Sequence, residues 1–104
     1  MKKNEQILVY RQGDVAFRLV TDINLNILQK AKKLNTKIVA TGEHGNPHIV
    51  EGIIFEFDNK MYVVNPDGEL VIKHPEHDEI RLPGGPDNIY EVIHQRELTG
   101  EVRD

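Results

Sequence analysis

Hydrophobic and polar residues alternate along most of this chain, and clusters of glycine, proline, asparagine and aspartate cut the alternation into short pieces. Val15, Phe17 and Leu19 alternate with Asp14, Ala16 and Arg18, the period-two signature of a strand with one buried face. The same reading gives strands over residues 6–10, 14–20, 37–41, 49–57, 60–64, 69–74, 79–82 and 88–98. Between residues 23 and 34 the period lengthens, with Ile27, Leu28, Ala31 and Leu34 on one helical face. A helix over residues 22–35 is therefore expected, with Asp22 as its cap, Lys30, Lys32 and Lys33 at its negative end, and Asn35 as its stop.

Turn chemistry supports the same division. Asn65-Pro66-Asp67-Gly68 sets proline at the second turn position and glycine at the fourth, so a hairpin between residues 60–64 and 69–74 is expected. Asp58-Asn59 turns the chain one strand earlier, and Asp14 beside Gly13 reads as a turn former. Many short strands with frequent turns give a mainly β fold, a small barrel or sandwich of about seven to eight strands with one inserted helix. Residues 1–104 read as one β-rich domain ending in a polar tail over 99–104.

Composition narrows the function. The chain has 104 residues, 38% of them hydrophobic, enough for one core. Seventeen acidic residues against thirteen basic ones leave a net charge of −4, which gives no electrostatic footprint for nucleic acid. There is no apolar run of about 20 residues and no secretion-type leader, so a cytoplasmic protein without membrane contact is expected. Cysteine is absent, so a transition-metal site must be built from imidazole and carboxylate. Serine is absent too, which removes the usual hydroxyl nucleophile. Gly84-Gly85 lacks the lysine and helix of a phosphate loop and reads as a tight turn.

Four of the five histidines stand in two proline-containing turns, His44-Gly-Asn-Pro-His48 and His74-Pro-Glu-His77. If residues 45–47 form a hairpin loop, His44 and His48 face one another with Cβ atoms about 5 Å apart. Proline at the second turn position brings the Cα atoms of His74 and His77 within about 7 Å. Convergence of His48, His74 and His77 on one cleft would let them hold a divalent ion such as zinc, iron or nickel, with His44 as a further ligand. Glu43, Glu51, Glu76 and Asp78 lie beside these histidines; Glu51 and Glu76 are the candidates for moving a proton. One histidine from each loop with one carboxylate makes a facial triad with open positions. The plainer alternative is that these are solvated turn residues, and His94, among Tyr90 and Val92 on the last strand, reads as structural.

Arg11-Gln12-Gly13-Asp14-Val15, Gly42-Glu43 before a histidine loop, His74-Pro-Glu-His77 with Ile80-Arg-Leu-Pro83, and Tyr90-Glu-Val92 with Gln95-Arg96-Glu97 resemble a family of small uncharacterised bacterial, phage and archaeal proteins. Its pattern is RQGDV, then GExxGHxH, then HxEHxxIxLPxGxYxVxxQRE, and it covers most of the chain outside the expected helix. The resemblance implies a phage or virus origin as one option and no activity. His48 matches the second histidine of GHxH, while Asn46 stands at the first. A weaker similarity to cupin barrels places His44, His48, Glu51 and His94 in a metal site and implies a metal-dependent enzyme. Three functions follow: a metal-binding β domain, a cupin-like enzyme, or a module without chemistry that forms homo-oligomers through strand edges.

Overall fold

The structure, a computed structural model, describes residues 9–41 and 46–94. Ten strands and one short helix follow in the order β1 (Val9–Gln12), β2 (Val15–Val20), α1 (Leu25–Leu28), β3 (Lys32–Leu34), β4 (Ile38–Thr41), β5 (Pro47–Glu51), β6 (Ile53–Phe57), β7 (Lys60–Val64), β8 (Leu70–Lys73), β9 (Ile80–Leu82) and β10 (Ile89–His94). All pairings are antiparallel. One sheet has six strands in the order β1-β2-β10-β7-β6-β3, the other four in the order β4-β5-β8-β9. The fold is mainly β as expected, but both sheets are open rather than closed into a barrel.

Both sheets contribute to one core. Val15, Phe17, Ile54, Val63, Tyr90 and Val92 from the large sheet pack with Val39, Val50, Leu70, Ile72 and Leu82 from the small one. A second cluster of Leu28, Phe55, Tyr62, Val64 and Ile89 gathers α1 against the large sheet, with Ile53 and Phe57 at its margin. Strand β6 is thus covered on both faces: Ile54 enters the shared core while Phe55 packs toward the helix. This explains its almost continuous apolar run, Ile-Ile-Phe-Glu-Phe.

The expected helix over 22–35 is corrected to one turn. Asn24, not Asp22, is the cap, its Oδ1 accepting the Ile27 N–H at 2.9 Å. Helical hydrogen bonding runs out at Ala31, and Lys32–Leu34 instead pairs with Ile54–Glu56 as an edge strand. A free sheet edge supplies a ladder for those backbone groups, and it outweighs a weak helical period. Lys32 and Lys33 therefore lie on an exposed edge, where charge discourages further pairing.

Two further expectations change at the crossings between sheets. The run over 49–57 is two strands, because Gly52 passes the chain from the small sheet to the large one. A Cβ there would lie 2.9 Å from the Val64 carbonyl oxygen. The Asn65-Pro66-Asp67-Gly68 turn exists but is not a hairpin, since β7 pairs with β6 and β10 while β8 pairs with β5 and β9. Among the described residues positive φ occurs at Asp58, Asn59, Gly13 and Gly85, not at Gly68. Asn65 ties the two crossings together, its Nδ2 donating to the carbonyls of Glu51 at 3.3 Å and Glu69 at 2.7 Å. The true two-residue hairpin is Asp58-Asn59, where both residues take positive φ as a tight β6–β7 turn requires.

Candidate functional site

Strands β1 and β2 meet in another two-residue turn, Gly13-Asp14, between the paired residues Gln12 and Val15. Gly13 takes a φ of +60°, a left-handed conformation that glycine enters without the penalty of a Cβ. The turn projects toward the small sheet. Its neighbour Gln12 is buried and donates both amide hydrogens across the gap, to the Ile72 carbonyl at 3.0 Å and the Asp78 carbonyl at 2.8 Å. The amide orientation is thereby fixed, and Gln12 Oε1 is left as an acceptor.

That acceptor meets His48. On β5 the alternation buries His48 and Val50 and exposes Ile49 and Glu51, so the imidazole points into the molecule and has no solvent-exposed surface. His48 Nδ1 lies 2.8 Å from Gln12 Oε1, and Nε2 lies 3.1 Å from Asp14 Oδ1. An amide oxygen can only accept, so Nδ1 carries a hydrogen. Burial holds the His48 pKa below its ordinary 6.5; the Asp14 carboxylate opposes the shift, and the neighbouring His74 and His77 add to it. At neutral pH the imidazole is then uncharged, with its Nε2 lone pair facing a carboxylate oxygen.

The second histidine turn closes on the same place. His74 follows β8 and is half-buried; Pro75, Glu76 and His77 are exposed. The His48 and His74 ring centroids are 4.3 Å apart, those of His74 and His77 4.6 Å, and those of His48 and His77 6.3 Å with planes 10° from parallel. His74 Nδ1 accepts the Glu76 backbone N–H at 3.0 Å. The His77 ring lies over Gly13, whose missing Cβ would sit 2.6 Å from His77 Nε2. The two close pairs are tilted, by 41° for His48–His74 and 46° for His74–His77, and among the described residues no three His, Asp or Glu side chains form a group that could hold a metal ion.

The other candidates fall elsewhere. Glu51 lies on the exposed face of β5, opposite His48, and pairs with Lys73 at 2.8 Å, which lowers its pKa. Glu76 is exposed in the loop between His74 and His77. His94 ends β10 opposite Val15 and lines a separate concavity with Leu34, Glu56, Lys60 and Met61. The cupin-like grouping of His48, Glu51 and His94 is therefore not assembled. His44 and Glu43 lie outside the described residues, as does the Gln95-Arg96-Glu97 motif. The cross-strand partner of His48 is Ala40 and that of Pro47 is Thr41; the expected facing of His44 and His48 falls on a residue outside the described ones.

Three residues at this place were not read as site residues from sequence: Gln12, Gly13 and Asp14. Their signal was the contiguous Arg11-Gln12-Gly13-Asp14-Val15 motif, in which a buried amide, a required glycine and a carboxylate occupy consecutive positions.

Comparison with known proteins gives a family. The family model described as Domain of unknown function (DUF8820) matches residues 11–95, and the chain belongs to that family. The match spans the Gly13-Asp14 turn and both histidine turns. No curated protein and no solved structure matches the chain. No helix among the described residues is long and apolar enough to cross a membrane.

Proposed function

We propose that this DUF8820 domain, whose family supplies no activity, is a divalent-metal-binding β domain with the ion held between Asp14 and His48. The carrying observation is the 3.1 Å approach of His48 Nε2 to Asp14 Oδ1 while His48 Nδ1 is committed to Gln12. A lone pair set against a carboxylate oxygen is repulsive unless a positive charge lies between them. Two ligands bound at about 2.0–2.2 Å to one tetrahedral or octahedral ion are separated by roughly 3.0–3.4 Å, so the observed spacing suits a shared ion. Gln12 then has the role of the partner that donor histidines commonly have, fixing the tautomer that leaves Nε2 free.

His77 is the third ligand in this proposal. It is exposed and can rotate between staggered rotamers to turn a nitrogen toward the ion. Asp14, His48 and His77 make a two-histidine, one-carboxylate set with open positions, suited to iron, zinc or nickel. His74 borders the set, and His44 is a candidate from sequence alone. Glu76 is the catalytic candidate beside this site; Glu51, committed to Lys73 on the other face, takes no part.

Elemental analysis of untagged protein is the test. About one transition ion per chain is expected, retained on dialysis and lost in Asp14→Ala. Protein that carries no metal, and takes up none from micromolar zinc at neutral pH, has a proton between His48 and Asp14 instead, and the proposal fails.

A further inference from the structure

We propose that the β3 edge of the large sheet is a docking strand for an acidic, extended peptide segment of a partner protein, which adds to the sheet beside Lys32–Leu34. This edge lies at the other end of that sheet from β1, so the inference is independent of the metal reading.

The chain as a whole is acidic, yet lysines gather at this edge. No acidic residue stands between Asp22 and Glu43, whereas Lys30, Lys32, Lys33 and Lys37 all fall in that interval. All four are exposed. Ion pairs among the described residues draw on Arg18, Lys73 and Arg81, so these four ammonium groups have no carboxylate partner there. Glu56 stands opposite Lys32 in the β3–β6 register without closing an ion pair. Lys37 Nζ donates instead to the Gly52 carbonyl at 2.6 Å, which fixes its charge beside the edge. Lys33, Asn35, Thr36 and Lys37 line one concavity with the crossing at Gly52.

Strand β3 ends the strand order, so its side away from β6 has no ladder partner among the described residues. An extended peptide satisfies such backbone groups by strand addition, and cross-strand side chains then decide which peptide is accepted. Successive residues of a strand project to opposite faces, so Lys32 and Lys33 place one positive charge on each face of the edge. Two-fold pairing of β3 with a second copy, centred on Lys33, sets Lys33 against Lys33 and is opposed by like charge. A segment with adjacent acidic residues meets an opposite charge on both faces, and a further carboxylate toward its end suits the concavity at Lys37. The lysines that exclude self-pairing thus select an acidic strand, repulsion and attraction serving one specificity. Nucleic acid offers the charge but not the amide groups that continue a ladder.

Fluorescence anisotropy at low salt tests this with a labelled peptide of about eight residues, valine and glutamate only, with two adjacent glutamates at its centre. Two probes of matched charge serve as comparisons: the same peptide with its valines replaced by proline, which cannot donate to a ladder, and a single-stranded oligothymidine. Wild type should bind the valine peptide at least about tenfold more tightly than either. Binding should weaken about tenfold in Lys32→Gln/Lys33→Gln and stay within about threefold of wild type in the charge-matched Lys73→Gln/Arg81→Gln. Hydrogen exchange of the β3 amides should slow on binding. Proline peptide binding as tightly as valine peptide, or β3 exchange left unchanged, would reduce the edge to an electrostatic patch and overturn the inference. Equal binding of the oligothymidine, equal losses in the two double variants, or no binding by wild type overturns it as well.

Discussion

Gln12 and His48 are joined by a 2.8 Å hydrogen bond in which His48 Nδ1–H donates to Gln12 Oε1, and the same glutamine spans from the β1–β2 hairpin to the carbonyls of Ile72 and Asp78. One buried amide therefore fastens the two sheets and sets the histidine tautomer. Gln12→Ala strands two carbonyls and one N–H in or near the interior, so a loss of roughly 2–4 kcal/mol is expected. Gln12→Glu restores the acceptor but no donor for the carbonyls, and should recover only part of that loss. Urea denaturation of the three metal-free proteins measures both.

Gly13→Ala tests how the hairpin turn seats the second loop. The substitution meets a φ of +60° and places a methyl 2.6 Å from His77 Nε2. The His77 side chain can swing away, so the stability cost should come mostly from the backbone, about 1–2 kcal/mol. Metal affinity should fall with it, because the ring that must move is the proposed third ligand.

Gly84 is held by a different contact. A Cβ at this position would overlap the backbone of Gly68, 1.6 Å from its carbonyl oxygen. Backbone cannot rotate aside as His77 can, and the neighbouring Asn65 is fixed by its bonds to Glu51, Glu69 and Gly85. Gly84→Ala should destabilise by about 2–3 kcal/mol or more, measured by thermal and urea unfolding, with metal affinity per folded molecule unchanged.

Acid should weaken the metal-free protein in two windows. The His48 pKa is lowered below 6.5 in the folded state, chiefly by burial, so below 6.5 the unfolded chain takes up a proton that the folded chain refuses. Stability is complete above 6.5 and declines as pH falls from there toward the folded value. The groups facing His48 are Asp14, His74 and His77. Glu51, whose pKa is lowered from 4.5 by Lys73, adds a second decline that begins only below 4.5. Urea midpoints from pH 8 to 4 should show the first decline in wild type and lose it in His48→Gln, while Lys73→Ala should remove only the second.

Much of the scaffold was legible in the sequence because period-two alternation is a local signal. Phe17, Phe55, Leu70 and Ile72 are buried as their patterns indicate. Ile27 and Ile53 are only half-buried, since Leu28 and Ile54 are the neighbours that enter the interior. Strand partners were not legible, because a turn such as Asn65-Pro66-Asp67-Gly68 reverses the chain without specifying which sheet receives it. The helix over 22–35 failed for a related reason: the sheet edge that claims Lys32–Leu34, at Ile54–Glu56, is a distant part of the chain. At the site, the two histidine turns announced their imidazoles by composition. Gln12 and Asp14 carried no such mark, as one buried glutamine in a strand looks like any other until its two carbonyl acceptors are known.

Calorimetric titration of zinc into metal-free protein at pH 7.5, with wild type, Asp14→Ala and His94→Ala compared, tests the central claim most directly. Asp14 and His48 Nε2 lie 3.1 Å apart, whereas His94 lies on another concavity. Wild type and His94→Ala should each bind one zinc ion with the same affinity, and Asp14→Ala should bind at least about tenfold more weakly, a loss of about 1.4 kcal/mol. Absence of zinc binding in wild type, or an Asp14→Ala titration that overlays it, would contradict the account.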